Sequence, residues 1–140
     1  MMKQIIFSTL LVLLAYHFSS AQSPAPYNVV FDVTSKDTLV HQMVIRWINE
    51  ITTSRPDAKI EVVYYAKGLD MITEGKSVVS ADVKKYAVMK NVAFRVCEVA
   101  MKNNGVDRSQ LLPGVQTVPD GIYEIIQKQH DGWGYIKAAR

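Results

Sequence analysis

The sequence predicts an α/β protein: a mainly parallel five-stranded sheet with helices on both faces, a three-layer α/β/α sandwich. Three observations predict it. Short β-branched and aromatic runs alternate with segments of helical periodicity from Tyr27 to the end, the pattern of βαβ units. The chain has 140 residues, enough for one core and one domain. No internal repeat, low-complexity tract or composition break divides it.

Each element has its own signal. Tyr27 to Val33 (YNVVFDV) is the first strand. Thr34, Ser35 and Asp37 follow as a polar turn with helix-capping chemistry. From Thr38 to Thr53, Leu39, Val40, Met43, Val44, Trp47, Ile48 and Ile51 recur at helical spacing, and Arg55-Pro56 ends the run. Lys59 to Ala66 (KIEVVYYA) is the second strand, broken at Gly68. Leu69 to Glu74 makes a helical turn stopped by Gly75, and residues 83–90 form a helix with Asp82 near its start. Val92 to Val96 is the third strand, interrupted only by Arg95.

Cys97 to Asn104 reads as a short helix with a left-handed stop at Asn104-Gly105. Val115 to Val118 is a fourth strand. Asp120 to His130 is a helix whose Ile122, Ile125, Ile126 and Gln129 share one face. Gly132 ends it, and Trp133 to Lys137 is the last strand. Trp47, Trp133 and Tyr64 are expected in the core. Tyr64 and Tyr65 must point to opposite faces of their strand, so one can border a pocket or interface.

Composition excludes several classes. Hydrophobic residues at 49% and charged residues at 21% rule out wholesale disorder. A net charge of +3, with no basic stripe interleaved with aromatics, gives no case for nucleic acid as a partner. There is no GxGxxG, P-loop or GxSxG, so no nucleotide or other cofactor and no Ser-His-Asp chemistry is indicated.

The first residues read as an export signal. Lys3 supplies a positive start, Ile5 to Phe18 is nearly all apolar, and Ser19-Ser20-Ala21 offers small residues for cleavage. The expected organisation is a signal peptide at 1–21, a flexible leader at 22–26 (QSPAP) and a single domain at 27–138. An uncleaved anchor is the alternative, although the apolar run is short for a membrane span. Cleavage leaves a periplasmic or secreted chain of charge +2, with no stable membrane span.

Cys97 is the one cysteine, so in an oxidising compartment it cannot form an internal disulfide. It sits where a strand meets a helix, the usual place for a site in an α/β sheet. A thiol there feels the positive end of the helix dipole, which favours thiolate. Glu98 opposes this, because a neighbouring carboxylate disfavours a second anion. A free thiol is also commonly a small hydrophobe in a core. Lys67-Gly68 follows a strand and can bring its backbone to a ligand, and Arg95 and Lys67 are candidate cations near the thiol. His41 and His130 remain after cleavage. They have no zinc-ligand spacing with Cys97 and read as surface or capping residues, so no metal is expected.

NVAFRVCEVAMKNNGV, from Asn91, resembles the strand–Cys–helix segment of the DsrE/DsrF-like family, the proteins of sulfur oxidation and tRNA thiolation. LLPGVQTVPDGIYEIIQKQHDGWGYIKA at 111–138 is similar to the end of exported DsrE-like proteins, and VVYYAKGLDMI at 62–72 occupies the place of the family's second strand and its loop. The resemblance implies a compact α/β/α sandwich that assembles as a trimer or hexamer. It implies that Cys97 carries persulfide sulfur between a donor and an acceptor thiol; the residues themselves add Lys67, Gly68, Arg95 and Glu98 as candidate binding positions around it. The alternative is a non-catalytic homo-oligomeric binding module with a buried structural Cys97. Whether the protein is an enzyme is left open at this level.

Overall fold

A computed structural model describes residues 25–140. The expected signal peptide, and most of the leader, lie outside the described residues. The elements are β1 (Asn28–Val33), α1 (Thr38–Ser54), β2 (Lys59–Tyr64), α2 (Ser80–Ala87), β3 (Val92–Cys97), α3 (Glu98–Asn104), β4 (Gln116–Val118), α4 (Gly121–His130) and β5 (Gly134–Ala138). Short 3-10 turns at Gly68–Ile72 and Arg108–Gln110 interrupt the longer connections.

The five strands form one sheet in the order β4-β3-β2-β1-β5, with every neighbouring pair parallel. The expected three-layer α/β/α sandwich is therefore what forms. From β1 to β4 the chain steps one strand at a time toward one edge. It then returns through α4 to the opposite edge as β5. Right-handed crossovers place α1, α2 and α3 on one face and α4 on the other.

The two faces differ in chemistry. On the first, Val29, Phe31, Val33, Ile60, Val62, Tyr64, Phe94 and Val96 meet Val40, Val44 and Ile48 of α1 in the main core. Phe31 stacks on Trp47 with centroids 5.5 Å apart. The second face holds a small cluster of Val30, Val63 and Ile125, with Tyr65 and Trp133 at its margin. Between these apolar residues the strands carry Asp32, Glu61 and Arg95.

Capping fixes where the helices begin. The Asp37 carboxylate accepts from the Leu39 N–H at 2.9 Å, starting α1. Asp120 accepts from the Ile122 and Tyr123 N–H groups at 2.8 and 3.2 Å, starting α4. Each bond satisfies a backbone donor that has no partner within its helix. Gly105 ends α3 in the left-handed region, φ 62°, which the absence of a Cβ permits.

Three local expectations are corrected. The helix expected over 83–90 runs from Ser80 to Ala87. Ser77 Oγ accepts from the Val79 N–H at its approach, and a turn through Met89 is needed to enter β3. On α4 only Ile125 of the expected apolar face is buried, whereas Ile122 and Ile126 are 56% and 54% exposed. The sheet beneath that helix is polar, so α4 buries a narrower stripe of Gly121, Ile125 and its charged flanks. His41 is buried, not on the surface. Its Nε2–H donates to the Ser35 carbonyl at 2.8 Å and ties the β1–α1 turn to the helix.

Candidate functional site

Cys97 ends β3, opposite Val118 of β4, and is the N-cap of α3 with extended φ and ψ of −69° and 122°. After β3 the chain turns to one face of the sheet, and after β4 it turns to the other. Neighbouring strands whose connections part in this way leave a crevice beyond their carboxyl ends. A cleft of about 470 Å³ occupies that crevice. One wall is Val99, Ala100, Asn103 and Asn104 of α3. The others are Tyr65, Ala66 and Lys67 after β2, and Asp120 and Ile122 at the start of α4.

Cys97 lines this cleft but is only 5% exposed. Gly121 explains part of its cover: a Cβ there would lie 3.0 Å from the Cys97 Cβ and 3.2 Å from Val63 Cγ1. The absence of a side chain lets the first turn of α4 pass directly over the thiol-bearing residue. Val99 and Ile122 are both more than half exposed at the mouth, so the cleft is apolar at its rim.

The β2 loop is clamped by one side chain. Asn104 Nδ2 donates to the Ala66 and Ala100 carbonyls at 2.9 and 2.7 Å, while its Oδ1 accepts from Lys67 Nζ at 3.1 Å. Ala66 has φ 51°, a conformation that costs a non-glycine residue roughly 1–2 kcal/mol and persists only where neighbours impose it.

Behind the cleft lies a saturated network. Asp32 Oδ2 accepts from the Tyr65 and Tyr135 hydroxyls at 3.0 and 2.7 Å, and Oδ1 accepts from Lys137 Nζ at 3.0 Å. Burial and then the Asp32 carboxylate raise the Tyr65 phenol. The hydrogen bond to Asp32, with burial second, pushes Tyr135 up to about 12. Both hydroxyls therefore stay protonated donors and hold the Tyr65 ring against the cleft.

A second charged cluster lies under α4. Glu61 is 2% exposed. Lys128 Nζ lies 3.0 Å from its Oε2, and Arg95 Nε 3.7 Å away, too far for a hydrogen bond. Among the described residues, Glu61 Oε1 and Arg95 Nε are both buried without a hydrogen-bond partner. Burial, with Glu124 second, pushes the Glu61 carboxyl up to about 7 against the opposing pull of Lys128.

Of the residues singled out from sequence, Cys97 and Lys67 meet in the cleft. The other three do not line it. Gly68 packs against the end of β1, where a Cβ would fall 2.2 Å from the Val33 carbonyl oxygen. Arg95 is directed under α4, toward Glu61 and Gln116. The Glu98 carboxylate is held by Arg108 and by Thr117 Oγ1, the latter at 2.8 Å. Its charge is thus paired on another side of α3. Tyr65, Asn104, Asp120 and Ile122 complete the cleft and were not assigned to it from sequence. Only Tyr65 carried a signal, through its alternation with Tyr64. Among the described residues His41, His130 and Cys97 belong to no group of three or more His, Cys, Asp or Glu that could hold a metal.

Fold and cleft together define a small parallel α/β protein with a thiol at a strand-order switch point. The chain belongs to the DsrE/DsrF-like family, a family associated with sulfur relay, whose model matches residues 29–138. Among solved structures it is similar to MTH1491 from Methanobacterium thermoautotrophicum, a protein of unknown function. The two are 30% identical with a TM-score of 0.74, over 79% of this chain and 98% of that one. BT1422 from Bacteroides thetaiotaomicron, also of unknown function, shares the fold at 13% identity and TM-score 0.64, over 79% of this chain and 94% of that one. No curated protein matches the chain.

Proposed function

We propose that this protein is an exported, homo-oligomeric thiol carrier that holds sulfane sulfur on Cys97. The observation that carries the reading is the placement of Cys97 in the switch-point cleft, recessed and flanked by Lys67. The Cys97 thiolate attacks the outer sulfur of a persulfide or polysulfide donor. A Cys97 S–S bond forms, and the donor's inner sulfur leaves as thiolate. An acceptor thiolate then attacks the outer sulfur and the Cys97 thiolate leaves, so no external oxidant or reductant is needed. The added sulfur extends about 2 Å beyond the Cys97 sulfur, enough to bring a recessed thiol's cargo further into the cleft. Lys67 supplies positive charge at the wall. Gly68 shapes the loop that presents Lys67, and Arg95 and Glu98 support the walls from behind.

Export rests on the apolar run before Ser19-Ser20-Ala21, with a periplasmic or secreted mature chain beginning at Gln22. Assembly of several copies is supported by the exposed Ile122, Tyr123 and Ile126 of α4, and the family resemblance gives it the form of a trimer or hexamer. The decisive experiment is intact-mass analysis after exposure to polysulfide, with the Cys97→Ser variant beside it. The wild type gains the mass of sulfur and the variant does not. Failure of the wild type to gain sulfur, while a small thiol in the same tube does, ends the carrier reading.

A second reading has one observation in its favour, the 5% exposure of Cys97. Under it the protein is a non-catalytic oligomeric binding module and the thiol is structural. Native Cys97 would then resist alkylation until the chain unfolds, whereas a carrier thiol is alkylated in the folded state.

A further inference from the structure

Beside the Cys97 cleft lies a second concavity that sulfur carriage does not use. It has a volume of about 250 Å³ and collects three lysines from three separate segments: Lys36 after β1, Lys67 after β2 and Lys76 after the first 3-10 turn. Leu69, Asn104 and Val106 close its walls. Among the described residues the single acid lining it is Asp70, 3.7 Å from Lys76 Nζ. Three lysines thus line the recess beside one carboxylate, and Lys67 Nζ is held at its edge by Asn104 Oδ1 at 3.1 Å. Lysines that converge in a concavity repel one another, and the field lines of a shaped recess focus on whatever anion enters it.

We infer that this basin is a binding site for a small tetrahedral dianion, of the class of phosphate, sulfate or thiosulfate. Lysine ammonium groups suit such a ligand as point charges, each with three donors that rotate to meet its oxygens. The volume admits one such ion with part of its hydration shell. Lys76 reaches the anion at the expense of a 3.7 Å contact with an Asp70 that is itself about half exposed, a pairing of little strength. Lys67 and Asn104 line both cavities. A bound dianion therefore sits across the Lys67–Asn104 contact from the thiol cleft. The site stands on its own lysines and does not depend on persulfide chemistry.

The test is isothermal titration of the folded full chain with phosphate, sulfate and thiosulfate in parallel, against chloride at matched ionic strength. The expected result is saturable binding of the dianions, weakening as salt is added. The double variant Lys36→Gln/Lys76→Gln loses about tenfold or more in affinity. Lys36→Gln alone, on an exposed lysine, loses part of it, and Lys84→Gln, which does not line the basin and is paired with Glu74, loses none. Heat signals no larger than those of chloride, or dianion affinity unchanged in the double variant, would overturn the proposal. The thiosulfate arm tells an oxyanion with a terminal sulfur from a generic one: tight binding of thiosulfate over both sulfate and phosphate assigns the basin to ligands bearing that sulfur, and equal binding assigns it to tetrahedral dianions in general.

Discussion

Glu61→Gln gives a pH-dependent stability effect whose sign follows from burial. Glu61 is enclosed by β1, β3 and α4, with Lys128, Arg95 and Glu124 as the charged groups that face it. Its carboxyl is pushed up to about 7 in the fold from an ordinary value of 4.5. Between those limits the folded chain holds a proton that the unfolded chain has released. Raising the pH through that window therefore favours unfolding: the contribution is fully present below about pH 4.5 and lost as pH rises past about 7. The interval corresponds to about 3 kcal/mol at most. Glutamine keeps the shape and the neutral state at every pH. The stability of Glu61→Gln relative to wild type should rise by up to about 3 kcal/mol between pH 4.5 and pH 8. Urea denaturation followed by circular dichroism at half-unit pH steps measures this difference, and unrelated titrations cancel between the two proteins. A difference that stays flat, or a variant that loses stability toward pH 8, would show that Lys128 and Arg95 stabilise the buried anion by more than burial penalises it.

Other substitutions probe the walls of the cleft and the core. Tyr64 is fully buried, with a hydroxyl that has no partner among the described residues, so Tyr64→Phe should gain about 1 kcal/mol in thermal or chemical denaturation; a loss of similar size would reveal a hidden partner. Gly68→Ala places a methyl 2.2 Å from the Val33 carbonyl oxygen and should cost roughly 1–3 kcal/mol, measured by the urea midpoint. Asp120→Ala removes the N-cap of α4 and should cost about 1 kcal/mol, with faster amide exchange confined to the first turn of that helix. Gly121→Ala presses on Cys97 and Val63; it should change the alkylation rate of native Cys97 several-fold while leaving the secondary structure intact, and an unchanged rate would mean that α4 does not control access to the thiol.

Much of the fold is legible along the chain because local signals and tertiary demands agree. Asp37 and Asp120 cap helices that begin where they are read, since one carboxylate next to two or three free N–H groups decides the matter locally. Gly105 stops α3 because the left-handed turn requires it. Tyr64 and Tyr65 part to opposite faces because strand geometry leaves no alternative. The address of Cys97, at the end of β3 and the start of α3, was equally legible.

Other features needed the assembled sheet. Periodicity grouped Ile122, Ile125 and Ile126 as one buried face, but the depth of burial depended on what lay beneath. Asp32, Glu61 and Arg95 come from three strands, and only their alignment in one sheet makes that face polar. Periodicity likewise cannot show that His41 turns inward, since its partner is a carbonyl in the preceding turn.

What the amino-acid order determined by itself is the alternation of elements, their caps and the position of one thiol between a strand and a helix. What tertiary structure decided is the strand order β4-β3-β2-β1-β5, and with it the crevice at Cys97. Strand order is set by which apolar faces bury one another across long loops, a property of the whole packed core and not of any local window. That order brings Lys67 and Asp120 to the thiol, sends Arg95 beneath α4, turns Glu98 toward Arg108 and gathers Lys36, Lys67 and Lys76 around one basin.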